Sequence, residues 1–182
     1  MDSFGKFFVD YGEYHSNKVS LLIHVFTIPL IIFSFMGLLG FGDYLIPYVG
    51  FSGIFAISLF IYYLRVEIFC ALFTGLWLSG MFIGVSFLHT WAGTSDRKIL
   101  LLCSFIGINL INWALQFIGH GFYEKRNAAI KDNFFLMFNA PFFFSAEVLR
   151  FCGWKKDQFI ALDEEINNRV SLYKESLVES KN

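Results

Sequence analysis

Residues 19–42 read VSLLIHVFTIPLIIFSFMGLLGFG and contain no Asp, Glu, Lys or Arg. Three more uncharged stretches follow, at residues 44–64, 68–95 and 99–123. Each is at least as long as the roughly 20 residues that an α-helix needs to cross the hydrocarbon core of a bilayer. The sequence therefore predicts an all-α integral membrane protein, a helical bundle of about four spans.

The composition of the chain agrees with a location in a membrane. Of its 182 residues, 56% are hydrophobic and only 16% are charged, whereas soluble domains carry roughly a quarter charged residues. The formal net charge is -1 and the sequence has no basic stripe, which excludes nucleic acid as a partner. Membrane lipid is the expected surrounding.

Three further segments flank the predicted spans. Residues 4–15 place aromatic side chains at steps of three and four, which predicts an N-terminal amphipathic helix in the membrane interface. Residues 134–146 are uncharged but too short for an ordinary span, which favours an interfacial or re-entrant segment. From residue 157 onward the pattern predicts an amphipathic helix that docks on the body or pairs with a partner. We expect a membrane-embedded domain over residues 1–152 and a polar helical tail over residues 153–182.

The distribution of Lys and Arg predicts the orientation. With four spans, Arg97 and Lys98 lie on one side of the membrane, and the other basic residues near the spans lie on the opposite side. Because the more basic side stays cytoplasmic, we expect both termini in the cytoplasm. Residues 1–17 lack the features of a cleavable signal peptide, so the first span is expected to act as an uncleaved anchor. The expected location is the endoplasmic reticulum of a eukaryote or the inner membrane of a bacterium.

The histidines are the first candidates for chemistry. His15, His24, His89 and His120 all lie in the apolar part of the chain or at its edges, and none lies in the polar tail. Ionisable groups in spans are costly and are functional candidates by default. A hydrogen-bonded structural role fits any one of them alone. The four together favour a metal site, because neutral imidazole binds iron, zinc and copper well.

The last predicted span carries a polar stripe. Asn109, Asn112, Gln116, His120 and Glu124 follow one another at steps of three and four, so they share one face of the helix. Amides are costly in lipid, and the stripe should therefore face the bundle interior. There Asn112 and Gln116 would hold the metal ligands in place by hydrogen bonds, or the stripe would be a polar seam between helices. Glu124 would be a carboxylate ligand, a catalytic base or an interfacial charge.

The string GHGFYEKR at residues 119–126 resembles a motif of the membrane 2-hydroxy fatty-acid dioxygenases. That family includes a fungal enzyme that acts on 2-hydroxypalmitate in phytosphingosine breakdown, and bacterial relatives. Tyr14-His15 and His24 are similar to the first motif of the family, two histidines nine residues apart. The resemblance extends over residues 4–150.

Two positions depart from the family pattern. The chain has Asn127-Ala128-Ala129 where the family usually has Arg-Pro-Ala, and Ser20 where it usually has Asn. Neither departure removes a histidine. They therefore bear on substrate choice and local geometry more than on metal binding.

The resemblance implies an oxidoreductase that uses Fe(II) and O2 on a 2-hydroxy long-chain fatty acid. The α-oxidation releases CO2 and leaves a fatty acid one carbon shorter. It removes four electrons, which one O2 accepts, so no nicotinamide, flavin or 2-oxoglutarate is required, and the sequence has no dinucleotide-binding fingerprint. The candidate iron ligands are His15, His24, His89 and His120, and the candidate catalytic residue is Glu124.

His89 poses a geometric problem in a four-span model. It ends the third span, whereas the other three histidines lie near the cytoplasmic side, roughly 30 Å away at about 1.5 Å per residue. It can share their site only if a segment is short, broken or re-entrant. We therefore expect His24 and His120 to be the strongest ligands, followed by His15, with His89 last.

Two other functions fit the same residues. One is a membrane cytochrome in which two histidines from different spans are axial ligands of a haem. The other is a small transporter or channel whose polar stripe lines a pathway. A Soret band would favour the first, and solute movement without bound metal would favour the second.

Overall fold

The computed structural model describes residues 1–46, 49–124 and 134–179, and within these ranges the protein is helical and has no strand. The predicted all-α class is confirmed. A 3₁₀ turn, Asp43–Leu45, follows the second helix, a π-helix, Gly119–Glu124, extends the fifth, and a 3₁₀ segment, Phe134–Asn139, precedes the sixth. Within the described ranges the α-helices are α1 (Ser3–Gly12), α2 (Lys18–Gly40), α3 (Gly50–Leu64), α4 (Ile68–Trp91), α5 (Ser95–Ile118), α6 (Ala140–Phe151) and α7 (Lys156–Glu179).

Among the residues that the structure describes, three helices are long and apolar enough to cross a membrane: α2, α4, and α5 with its π-helical extension. The remaining expected span, residues 44–64, corresponds to α3, which has 15 residues and is also apolar. At about 1.5 Å per residue, α3 is roughly 22 Å long, shorter than the roughly 30 Å hydrocarbon core. The count of four spans therefore stays a prediction.

Local sequence signals begin two of the long helices. The side chain of Asn17 accepts hydrogen bonds from the backbone N–H groups of Val19 (2.9 Å) and Ser20 (3.5 Å), so it caps the beginning of α2. Glu67 does the same for α4 by accepting from the backbone N–H of Cys70 at 2.6 Å. The turn between α3 and α4 is correspondingly tight, and it places the beginning of α4 beside the end of α3.

Helix α2 is the centre of the bundle and packs against α3, α4 and α5. It runs antiparallel to α5, because Thr27 contacts Gln116 while Gly37, further along α2, faces Phe105, which comes earlier in α5. A Cβ on Gly37 would collide with the Phe105 ring. The glycine therefore permits the close approach of the two helices.

A second layer, which we name the cap, covers the end of the bundle where α2 begins and α5 ends. It consists of α1, the 3₁₀ segment, α6 and α7. The phenol of Tyr63 at the end of α3 donates to the Phe138 carbonyl of the cap at 2.6 Å. The interior of the cap is a cluster of buried rings from Phe4, Phe8, Phe142, Phe143 and Phe159.

Helix α7 docks on α1, which is one of the two possibilities that its sequence pattern left open. Phe159, Leu162 and Ile166 are buried, and Arg169 pairs with the carboxylate of Asp10 at 2.9 Å. The apolar face of α1 is consequently covered by protein. Leu177, the last position of the apolar pattern, has a side chain outside the described part of the structure.

Candidate metal centre

Three of the four histidines meet where the cap covers the bundle. His15 follows α1, His24 lies in the second turn of α2, and His120 lies in the π-helix after α5. Their ring centroids are 4.2, 4.8 and 4.9 Å apart, and each ring offers one nitrogen within 4.8 Å of the others. All three side chains are buried, with at most 6% exposure. We name this group the histidine triad.

Backbone hydrogen bonds define the tautomers of two triad members. The Nδ1 atom of His15 lies 2.9 Å from the carbonyl oxygen of Tyr11, and Nδ1 of His24 lies 2.8 Å from that of Ser20. Because a carbonyl oxygen can only accept, Nδ1 carries the proton in each ring. The Nε2 atom is then left with a free lone pair, the state in which imidazole binds metals.

One nitrogen of each triad ring lacks a hydrogen-bond partner in the part of the chain that the structure describes. Nε2 of His15, Nε2 of His24 and Nδ1 of His120 are buried and have no hydrogen-bond partner among the described residues. A buried polar atom without a partner costs roughly 1–3 kcal/mol. Three such atoms in one group would be expensive, but a cation bound by their lone pairs would satisfy all of them.

The electrostatic environment of the site favours neutral imidazoles, the form in which histidine binds a metal cation. Burial, together with the neighbouring His24 and His120, holds the pKa of His15 well below its usual range. The imidazole of His15 is therefore neutral near pH 7 and available as a ligand. Neutral nitrogen donors suit iron, zinc and copper better than magnesium or calcium.

The π-helix brings His120 to the other two rings. A Cβ on Gly119 would lie 3.4 Å from the hydroxyl of Ser20 and 3.6 Å from the His24 ring, so this segment passes close to α2. Wide π-type turns of this kind are rare and occur often at functional sites. Ser20, one of the departures from the family pattern, is thus beside the triad, and its buried hydroxyl also has no partner within the described ranges.

Glu124 ends the π-helix and holds the turn that carries His15. Its carboxylate accepts from the hydroxyl of Ser16 at 3.1 Å and from the backbone N–H of Asn17 at 2.9 Å. Glu124 does not belong to the group of clustered ligand atoms among the described residues. Its catalytic role stays a prediction. The observed hydrogen bonds connect the end of the π-helix to the turn after His15, and we call this connection the tie.

The polar stripe of α5 faces α2, as predicted. The amide of Gln116 donates to the Thr27 hydroxyl at 3.1 Å, and that of Asn109 donates to the Ser34 hydroxyl at 3.0 Å. Asn112 donates to the backbone carbonyl of Ile108 in its own helix at 2.7 Å. These bonds form a polar seam, and support of the metal ligands by Asn112 and Gln116 stays a prediction.

The structure does not bring His89 to the triad. Its Nε2 lies 2.9 Å from the carbonyl oxygen of Gly37, and its ring packs against Phe41 and Phe105. Gly37 is 13 residues after His24 in α2, or about 20 Å along the helix. His89 therefore lies near the opposite end of the bundle, where the spacing of the spans placed it.

A cavity of about 620 Å³ begins at the triad and extends along α2 between side chains of α3, α5 and the cap. Its polar end includes the three imidazoles and Gln116, and the rest of its lining is almost entirely apolar. Sequence reasoning assigned no site role to Tyr11, yet its ring stacks on His15 at 4.3 Å and lines the cavity. The four-residue spacing of Tyr11 and His15 in the aromatic pattern of residues 4–15 is the signal that would have found it.

A family model and one known protein each match most of the chain. Residues 1–152 match the model of the family described as "2-hydroxy-palmitic acid dioxygenase Mpo1-like". The chain is 29% identical over 141 residues to a Saccharomyces cerevisiae protein named 2-hydroxy-palmitic acid dioxygenase MPO1, a match that covers 76% of this chain and 75% of the yeast protein. No solved structure matches significantly. The departure at Asn127-Ala128-Ala129 lies outside the described residues.

Proposed function

The chain belongs to the Mpo1-like 2-hydroxy-palmitic acid dioxygenase family, and on that premise we propose that it is a membrane dioxygenase that shortens 2-hydroxy fatty acids by one carbon. The overall reaction is R-CH(OH)-COOH + O2 → R-COOH + CO2 + H2O. The bond between C1 and C2 breaks, the substrate loses four electrons, and one O2 takes them up. No other electron donor enters the balance.

The observation that carries the proposal is the histidine triad with its three unpartnered nitrogens. We assign His15, His24 and His120 as the residues that hold Fe(II). Bound there, Fe(II) would supply the redox chemistry by which O2 is reduced. Three protein ligands also leave room for substrate and oxygen, as in other non-haem iron oxygenases. His89 is not part of this ligand set.

The protein's own contribution is to bind and orient the substrate. The cavity is polar at the triad and, apart from Asn109, mainly apolar beyond Ile28, so a fatty acid has one favourable direction, with its carboxyl and α-hydroxyl groups at the imidazoles. Burying the alkyl chain contributes roughly 0.8 kcal/mol per methylene. Tyr11 and Gln116 line the polar end, where they can hydrogen-bond to the substrate head group.

The packing of the triad favours a single ion over a haem. Two imidazoles that bind one haem iron lie on opposite faces of the macrocycle. Their centroids are therefore about 6 Å apart, which is two metal–nitrogen bonds of about 2 Å and the two ring radii. The centroids in the triad are only 4.2–4.9 Å apart. No macrocycle fits between any two of these rings.

The proposal also covers the location. The apolar helices fit a multi-pass membrane protein, and we retain the predicted orientation, with both termini and the cap on the cytoplasmic side. The membrane would be that of the endoplasmic reticulum in a eukaryote or the inner membrane in a bacterium.

The test is metal analysis of the purified protein combined with oxygen uptake on 2-hydroxypalmitate. We expect stoichiometric iron, equal amounts of O2 consumed and CO2 released, and pentadecanoic acid as the product. Palmitate, which lacks the α-hydroxyl, is the matched control and should cause no uptake. Full turnover after complete removal of iron, or a Soret band without non-haem iron, would overturn the proposal.

A further inference from the structure

We propose that the apolar part of the cavity selects substrates by the length of their acyl chain, and that Phe35 and Phe55 determine the preferred length. This inference rests on the proposed function, since it concerns the substrate of the same site. The occupant to which it commits is the alkyl chain of a 2-hydroxy fatty acid of about 16 carbons.

One face of α2 forms a continuous wall of the cavity. The lining residues Ile28, Ile31, Phe35 and Leu39 follow His24 at steps of four, three, four and four, so they lie in a row that starts at the triad. Phe55 and Leu59 of α3 line the same cavity. The wall therefore runs from the metal centre toward the opposite end of the bundle.

The length of this wall can be compared with that of a fatty acid. Phe35 is 11 residues after His24, which is about 16 Å at 1.5 Å per residue. An extended alkyl chain advances about 1.25 Å per carbon, given bonds near 1.52 Å and tetrahedral angles. If C1 and C2 lie at the triad, the 14 carbons that complete palmitate span about 17 Å, so its methyl end arrives at Phe35.

Two aromatic rings meet in the lining of the cavity at that level. The rings of Phe35 and Phe55 meet edge to face, with centroids 5.1 Å apart, and both side chains line the cavity. Phe35 is also 41% exposed, so its truncation does not empty a closed core. The pair is thus placed to contact the end of a 16-carbon chain and to hinder longer ones.

Two substitutions should shift the preferred chain length in opposite directions. Phe35→Ala should raise kcat/KM for the 20-carbon acid relative to the 16-carbon acid at least about tenfold, since each accommodated methylene contributes roughly a factor of four and two of the four added ones suffice. Ile32→Phe, which adds bulk to the lining about 12 Å from the level of His24, should shift the preference toward 12 carbons. Phe26→Ala is the matched control, because Phe26 is on the same helix, is 67% exposed and does not line the cavity.

The experiment uses the full chain in detergent or nanodiscs and has two readouts. The first is kcat/KM for 2-hydroxy acids of 12 to 24 carbons, with iron content measured for every variant. The second is the rise in Tm caused by saturated fatty acids of the same lengths, which requires no turnover. An unchanged length profile in both Phe35→Ala and Phe55→Ala, at normal iron content, would overturn the inference.

The two proposals fail in different ways. If the wild-type protein turns over no 2-hydroxy acid but its Tm shift peaks near 16 carbons and moves in Phe35→Ala, only the proposed reaction is wrong. If the wild-type protein is active but its Tm shift and its activity do not depend on chain length, the reaction stands and the measuring role of Phe35 and Phe55 is wrong.

Discussion

The two ends of the bundle hold histidines in contrasting states. At the cap end, His15, His24 and His120 are clustered, and each leaves one buried nitrogen without a partner among the described residues. At the other end, His89 uses its Nε2 on the carbonyl of Gly37. All four are histidines of an apolar chain, so residue type and location do not separate them. What separates them is whether a ring nitrogen is left without a hydrogen-bond partner among the described residues.

The largest effects are expected when one histidine side chain is removed at each end of the bundle and the two results are compared. His24→Ala and His120→Ala should abolish iron retention and lower turnover by more than about 100-fold, since even changes to groups that only support ligands cost 10- to 100-fold. His89→Ala should keep its iron, with a loss of roughly 1 kcal/mol in stability from the missing hydrogen bond. Metal content per chain and oxygen uptake measure both effects. Equal iron loss at the two ends would mean that the unpartnered nitrogens do not mark a metal site.

A second prediction concerns the tie at the cap end. Glu124→Gln keeps the size of the side chain but removes the charge that accepts from Ser16 and Asn17. If Glu124 is only a tie, iron affinity should fall about tenfold while the iron-loaded protein keeps most of its turnover. If Glu124 is the catalytic residue that the sequence analysis predicts, kcat should fall by more than about 100-fold at full iron occupancy. A competition titration with a chelator, combined with kcat, separates the two roles.

A third prediction concerns the docking of α7 on α1. Arg169 contacts the carboxylates of Asp10 on α1, of Glu13 directly after α1 and of Glu165 on its own helix. Because these partly exposed ion pairs are screened by water, Arg169→Ala should cost only about 1 kcal/mol of stability. The loosened α1 should weaken iron binding a few-fold through His15. Arg97→Ala, at the other end of the bundle, is the control and should leave iron affinity unchanged.

The smallest effect is expected at the polar seam. Gln116→Leu removes the hydrogen bond to Thr27 but touches no imidazole bond that the structure describes. Thr27 still donates to the carbonyl of Ile23, so the fold should lose only about 1 kcal/mol. Iron affinity should fall by less than in Glu124→Gln if Gln116 supports the ligands. Unchanged affinity in a chelator titration would mean that the stripe serves packing alone.

Much of the fold could be predicted from the sequence because its signals are local. The uncharged stretches and the Asn17 cap depend on neighbouring residues, and they locate the long helices well. The second stretch was harder, because an uncharged run need not be helical throughout. The structure begins α3 only at Gly50, where the carboxylate of Asp43 accepts from the backbone N–H of Ser52 at 3.0 Å and φ of Gly50 is +66°. Hydropathy contains no trace of such a turn.

The site was predictable in part. The sequence ranked His24, His120 and His15 above His89, and the structure brings those three together. The geometry that makes them a group depends on contacts between distant residues, such as the bond from Asn17 to Glu124 across 107 positions. Neither the π-helix nor the backbone bond that fixes the tautomer of His24 follows from spacing alone. A single sequence gives candidates for ligands, whereas their pairing requires the tertiary structure.

The docking of α7 on α1 also has a consequence for biogenesis. The bond between Asp10 and Arg169 joins positions 159 residues apart, and His15 lies just after the helix that this bond secures. During synthesis the ribosome delivers His15 before the helix that braces it. The apolar helices can enter the bilayer while α1 still waits for its partner. The brace on α1, and with it the final position of His15, can therefore be completed only after α7 has been made.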